Sequence, residues 1–301
     1  MLSRPLPFLV LGVGVVVVSF AAILIRFAQA EGASSLAIAA VRLTVAAAVL
    51  TPFVWLRAGR EIMRLGWRPF ALCMLSGVLL AAHFWAWITS LEHTSVASST
   101  ALVTTNPLWV ALVSAIILRE PPGAIGIAGM VLTLAGSMLV FAADASRASP
   151  AGAASNLGNA LALLGAISAS GYLLIGRAMR LRISLSAYIW LAYTAAAALL
   201  AGAALGTGEA LVSITWSAWL SMAALGLGPQ LIGHTSFNWA LRRLTATFVA
   251  IAILGEPIGA ALLAWFFFGE GFSAAQSIGF VLLLSGIFLA ARGEKVRVVQ
   301  S

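Results

Sequence analysis

Apolar runs of about 20 residues recur from one end of the chain to the other, each long enough to cross a ~30 Å hydrocarbon layer as a helix. They cover residues 6–27, 34–56, 68–90, 95–118, 123–143, 156–177, 184–206, 216–240, 245–268 and 273–291. Spread over 301 residues, these runs leave little chain for a water-facing domain. The expected fold is an all-α membrane protein of ten transmembrane helices. Composition agrees, since 9% of residues are charged against about 25% in soluble domains. The first run imitates a secretory leader, with Arg4 before it and Ala28-Gln29-Ala30 after it. It exceeds a leader's apolar core of about 7 to 15 residues, and Arg26 and Phe27 intervene, so it reads as a span.

The net charge of +8 does not describe a nucleic-acid partner, because the basic residues fall singly or in small groups between apolar runs. It describes topology. If the helices alternate, Arg57, Arg60, Arg64, Arg68, Arg119, Arg177, Arg242, Arg243 and Arg292 share one side. The other side carries Glu31, Glu92, Asp144, Glu209 and Glu270, with Arg26 and Arg147 as basic exceptions. The basic side should be cytoplasmic, and both termini with it. The single cysteine, Cys73, lies in an apolar run and allows neither an internal disulfide nor a CxxC metal site. No cofactor or metal is expected.

Sliding the sequence against itself by half its length aligns Pro107 with Pro257, Glu120 with Glu270, Gly129 with Gly279, Gly136 with Gly286 and Leu91 with Leu241. Pro and Glu are scarce here, so their agreement at one offset marks a duplication. Residues 1–145 form one five-helix repeat, 146–155 an Ala/Ser/Gly/Pro-rich link, 156–291 the second repeat and 292–301 a cytoplasmic tail. The other long connection falls at 57–67. An odd number of helices per repeat inverts the second copy in the membrane, the arrangement that underlies alternating access in transporters.

An ionisable group at the bilayer centre costs roughly 2.5–3.5 kcal/mol and needs a partner or a wet cavity. Glu256, beside Pro257 in the ninth run, is either a proton or substrate-amine site or a capped residue in a kinked helix. Its repeat mate Asn106, beside Pro107, is either a substrate ligand or interhelical glue. Both prolines are candidate kinks, since each removes a backbone donor. Arg42, some eight residues into the second run, can snorkel, pair with Glu256 or bind an anionic substrate. His83 with Phe84, Trp85 and Trp87, and His234 with Ser236, Asn238 and Trp239, read as cavity wall or as satisfied packing residues. Tyr172, Tyr188, Tyr193, Trp190 and Gln230 add hydrogen-bonding capacity. Gly126, Gly129, Gly136, Gly255 and Gly259 let helices approach closely.

Two segments carry a family resemblance: Thr100 to Leu108 (TALVTTNPL) ending in Leu118-Arg119-Glu120, and Trp239-Ala240-Leu241-Arg242-Arg243 followed by Gly255-Glu256-Pro257 and Gly269-Glu270. Together with Ala40-Val41-Arg42-Leu43 they resemble the EamA-like members of the drug/metabolite transporter superfamily, over the whole chain as two units. The resemblance implies a multi-pass bacterial inner-membrane exporter of metabolites, in a family whose members include exporters of amino acids, aromatic ones among them. It also implies a midplane cavity lined by helices one, three, four, six, eight and nine. The small multidrug relatives use a carboxylate in their first helix. Residues 6–27 and 156–177 contain no Asp or Glu, which argues against cationic drugs.

The expected function is secondary export of a small metabolite, amino acids first, with lipid as the solvent and proton coupling as one route. Efflux of drugs or other metabolites is the alternative. No P-loop, HExxH, GxSxG or membrane aspartate pair occurs, so an ATP-driven pump and an intramembrane enzyme are both disfavoured.

Overall fold

The structure is a computed structural model that describes residues 6–117, 123–145, 150–179, 182–208, 215–240, 252–253 and 255–293, and the described residues are helical with short connections and no strand. The first half contains α1 (Leu6–Ser19), α2 (Ala21–Ala30), α3 (Ser35–Met63), α4 (Trp67–His93), α5 (Val96–Val103), α6 (Asn106–Ile117) and α7 (Ala124–Ala145). In the second half are α8 (Pro150–Met179), α9 (Leu185–Gly206), α10 (Trp216–Leu225), a π-helical turn (Gly226–Gly233), α11 (His234–Ala240), α12 (Gly255–Phe268) and α13 (Ala274–Gly293). Five helices are long and apolar enough to cross a membrane: Leu6–Ala30, Ser35–Met63, Trp67–His93, Ser155–Met179 and Leu185–Gly206.

Their outward faces are what lipid requires. Leu56 is 88% exposed, Phe266 73% and Met138 72%, and apolar surface on this scale would not persist in water. Small polar residues start the helices. Ser34 accepts a hydrogen bond from Ala37 N (3.0 Å), and its repeat mate Ser184 accepts one from Ala187 N (3.3 Å), each satisfying one orphan donor of a first turn.

Two expected connections are shorter than the apolar pattern suggests. The helix α3 passes Arg57 and Arg60 to reach Met63, leaving only a short turn where a connection over 57–67 was expected. Arginine ends a hydropathy window but is a good helix former, and Arg57 lays its guanidinium 4.2 Å from the Phe53 ring centre. Similarly, α8 starts at Pro150, inside the segment read as a link. Proline suits a first helical position, where its missing N–H costs nothing.

Three expected spans are interrupted rather than straight. At Phe20 the first breaks between α1 and α2, next to Ser19, whose hydroxyl donates back to Val15 O (2.8 Å). The fourth breaks at Thr104–Thr105, ahead of Pro107. Pro107 has no N–H to offer the carbonyl of Val103. With its amide oriented to serve the surrounding acceptors, Asn106 donates to Val103 O (3.0 Å) and to Ala166 O of α8 (2.9 Å). These two bonds join α6 to α8 and serve a carbonyl that Pro107 leaves without a backbone donor. Asn106→Ala should therefore strand the Val103 carbonyl and remove the tie to Ala166 O, which the Ser170 hydroxyl also serves (2.8 Å), lowering stability by about 1–3 kcal/mol. Adding Pro107→Ala, which restores a backbone donor for Val103, should recover part of that loss in a thermal-unfolding cycle. The eighth span contains the π-helical turn, with Pro229 inside it.

The helices α7 and α13 lie against each other without room for a side chain at their crossing. A Cβ on Gly136 would sit 2.7 Å from Gly279 O, and one on Gly286 would sit 2.7 Å from Gly129 O. As residue number rises along α7 it falls along α13, so the two helices run antiparallel. Elsewhere α4 packs on α8, α3 on α9, and α1 on the π-helical turn, α11 and α12.

One end of the bundle is tied by polar contacts. Arg26 of α2 pairs with Glu270 (3.1 Å) and donates to Thr94 O (2.8 Å), while the second carboxylate oxygen of Glu270 accepts from Val96 N (2.9 Å). The Arg26 exception in the charge pattern is thus an ion-pair partner and carries no topology signal. Gln29 donates to Ser35 (3.0 Å) and to Ile88 O (2.9 Å), Ser35 also donates to Glu92, and Thr94 donates to Asn159 (2.8 Å). At the other end Glu61 accepts from Ser184 N (2.5 Å) and its hydroxyl (2.7 Å), joining α3 to the start of α9.

Candidate functional site

The most costly side chain in the described interior is Arg42, 1% exposed in the middle of α3. Its Nε donates to Gln230 Oε1 at 2.9 Å, and its guanidinium carbon lies 4.1 Å from the Phe84 ring centre and 5.7 Å from that of Trp87. Gln230 reaches it from the π-helical turn, an irregularity frequent at functional positions, and is 2% exposed. Glycine permits the approach, because a Cβ on Gly226 would meet Arg42 O at 2.9 Å. Tyr193 of α9, 3% exposed, lies within electrostatic reach of Arg42.

Around this guanidinium the sequence candidates converge. Glu256, His83, His234 and Tyr193 all interact electrostatically with Arg42. Arg42 and His83 come from the first half, whereas Tyr193, Gln230, His234 and Glu256 come from the second. His83 donates through Nδ1–H to Gly165 O of α8 (2.9 Å), since a carbonyl only accepts, and its ring stacks on Trp87 with 6.0 Å between centres. The His234 ring meets Phe237 edge-on at 6.1 Å. Glu256 lies in the first turn of α12, and its carbonyl is within 3.4 Å of the Ser19 hydroxyl.

Arg42 does not form the close ion pair with Glu256 that was one expectation. The ion pair found within 4 Å among the described residues is Arg26–Glu270. Instead Arg42 Nη1 is buried without a hydrogen-bond partner, and so is Trp87 Nε1. An unmet buried donor costs about 1–3 kcal/mol, more when charged. The aromatic faces recover on the order of 2 kcal/mol through cation–π attraction, which leaves a net cost to be explained.

Three candidates sit apart from this group. Trp85 is 41% exposed on the helix face that carries Leu75 and Val78, while Phe84 and Trp87, three residues apart, share the inner face. Tyr172 stacks on Tyr188 (5.8 Å between centres) and its carbonyl accepts from the Tyr188 hydroxyl (2.8 Å), in a second polar group with Ser76. Asn106 serves the helix break. The Asn238 and Pro107 side chains, residue 254 before the Gly255-Glu256-Pro257 segment, and 241–251 lie outside the described residues, so a kink at Pro257 is not on view. Sequence reasoning named Phe84, Trp87 and Tyr193 as cavity wall, packing or hydrogen-bonding capacity and did not join them to Arg42. The signal was available in the three-residue spacing of Phe84 and Trp87.

An all-helical bundle faced with apolar side chains, holding a buried cation and a half-buried acid contributed by its two halves, is a multi-pass membrane transporter in class. The EamA-like transporter family matches residues 6–142 and again 156–292, and the chain belongs to that family. The second match repeats the first at the offset that aligns Pro107 with Pro257. The uncharacterized transporter YwfM of Bacillus subtilis is 27% identical over 278 residues, covering 88% of this chain and 87% of YwfM. An uncharacterized transporter of Archaeoglobus fulgidus is 31% identical over 75 residues, 25% of this chain and 28% of that protein's length. A solved crystal structure, 21% identical, covers 96% of this chain and 98% of its own with a TM-score of 0.66, a likeness of fold. These names indicate a transporter rather than an enzyme.

Proposed function

We propose that this protein is a secondary exporter of small metabolites, amino acids first among them, working by alternating access in a bacterial inner membrane. In this reading ten spans form two inverted five-helix halves, residues 1–145 and 156–291, with both termini cytoplasmic. The antiparallel crossing of α7 and α13, which are repeat mates, supports the inversion. The observation that carries the reading is the Arg42 group itself, assembled from both halves around one point. A carrier that exposes a site alternately to two sides needs that site between the parts that move.

In this reading the basic side is cytoplasmic and the end tied by Arg26, Glu270 and Thr94 faces outward. A small zwitterion suits the polar groups, since its carboxylate matches Arg42 and its ammonium matches Glu256. Cationic drugs suit them less, because Arg42 repels them.

The test is efflux from proteoliposomes preloaded with a mixture of labelled amino acids, compared with protein-free vesicles. Protein-dependent loss of particular amino acids is the expected result. Retention of the whole mixture would turn the reading toward drugs or other metabolites.

A further inference from the structure

We propose that Arg42 Nη1 and Trp87 Nε1 form a carboxylate-binding site, so that the transported molecule must carry a carboxylate group. The inference rests on the exporter reading and adds to it the group that is recognised.

Two buried donors have no partner, Arg42 Nη1 and Trp87 Nε1, and the guanidinium carbon lies 5.7 Å from the Trp87 ring centre. Arg42 and Trp87 are 1% and 4% exposed, so bulk water does not serve them. Two of the neighbouring protein acceptors are already committed. Gln230 Oε1 takes Arg42 Nε, Gly165 O takes His83 Nδ1, and Glu256, though within electrostatic reach, makes no close ion pair with Arg42. What is missing is an acceptor with charge. A carboxylate presents two acceptor oxygens, and a guanidinium presents donors in the matching planar fork.

Charge favours a monoanion over a phosphate dianion, because the group holds one fixed cation and one acid, Glu256, in its range. The walls favour an organic body, because the Phe84 ring centre lies 4.1 Å from the guanidinium and the Trp87 indole beside it.

The experiment measures thermal stabilisation of the full-length protein in detergent by three sets of probes at equal concentration. These are the amino acids, their carboxamides, and arylacetates, which have a carboxylate and no amine. Ligand that binds the folded state stabilises it by RT ln(1 + L/Kd), where L is the free ligand concentration, and raises the unfolding temperature accordingly. Acids should stabilise and carboxamides should need about tenfold more ligand for the same shift, or fail. Arg42→Lys, which keeps the charge and loses the fork, should narrow that difference. Arg42→Gln should erase it, and where Arg42→Gln does not fold, the wild-type comparison stands alone.

Equal stabilisation by acids and carboxamides, or none by any acid, would overturn the carboxylate site. Stabilisation by arylacetates but not by amino acids would uphold the site and remove the amino-acid reading instead.

Discussion

Gly286→Val is expected to leave little monodisperse protein and to lower the unfolding midpoint of what remains by about 2–5 °C, the shift that about 1–3 kcal/mol produces in a chain of this size. A Cβ at Gly286 would lie 2.4 Å from Thr133 N and 2.7 Å from Gly129 O. Both are backbone atoms of α7, and a backbone cannot rotate aside. The two helices must separate, and overpacking of this kind costs about 1–3 kcal/mol or more. The same holds at its repeat mate Gly136, whose Cβ would lie 2.4 Å from Leu283 N. Gly202→Ala is the control, because no atom lies within 4 Å of a Cβ there and the midpoint should not fall. A normal midpoint for Gly286→Val would contradict the antiparallel seam.

Glu256→Gln is expected to uncouple transport from the proton gradient. A carboxylate that accepts either a proton or the ammonium of a substrate, never both, exchanges one for the other across the membrane. Protons moving inward then drive substrate outward. For one-to-one exchange, a gradient of one pH unit supports about a tenfold substrate ratio. In vesicles with an acidic trans side, the wild-type protein should build that ratio and Glu256→Gln should stop at equality. Arg42, His83, His234 and Tyr193 form the electrostatic surroundings of this carboxylate. In the exporter reading Glu256 is the proton carrier of the group, and the His83 ring donates Nδ1–H to Gly165 O. A Glu256→Gln protein that still follows the gradient would remove that role.

Much of the architecture was legible because lipid imposes a simple rule on sequence. A helix that satisfies its own backbone and faces hydrocarbon shows as an apolar run, and the repeat shows because Pro107, Pro257, Glu120 and Glu270 are rare residues at one spacing. The repeat mates Ser34 and Ser184 both act as helix caps. Helix ends were less legible, since hydropathy reports where lipid stops and not where hydrogen bonding stops, as α3 shows by running past Arg57.

The site was legible as a set of residue types and not as a constellation. Arg42, Gln230, His83, His234 and Glu256 stood out because polar groups are costly in a bilayer. That Gln230 meets Arg42 depends on the π-helical turn at Gly226–Gly233, a local change of helical phase that no periodicity records. Trp85 was chosen from a string in which Phe84 and Trp87 face inward. Asn106 was read as ligand or as glue, with glue favoured, and its contact with Ala166 O is one that no sequence pattern records.

Tracer counterflow in proteoliposomes tests the carrier account most directly. Vesicles are loaded with a high concentration of an unlabelled substrate found in the efflux assay, and uptake of external labelled tracer is followed with no ion gradient. A carrier with one alternately exposed site returns loaded more readily than empty, so internal substrate should drive a transient overshoot of tracer above its equilibrium level. Uptake that rises without overshoot to equilibrium, equally with loaded and unloaded vesicles, would contradict alternating access at the Arg42 group.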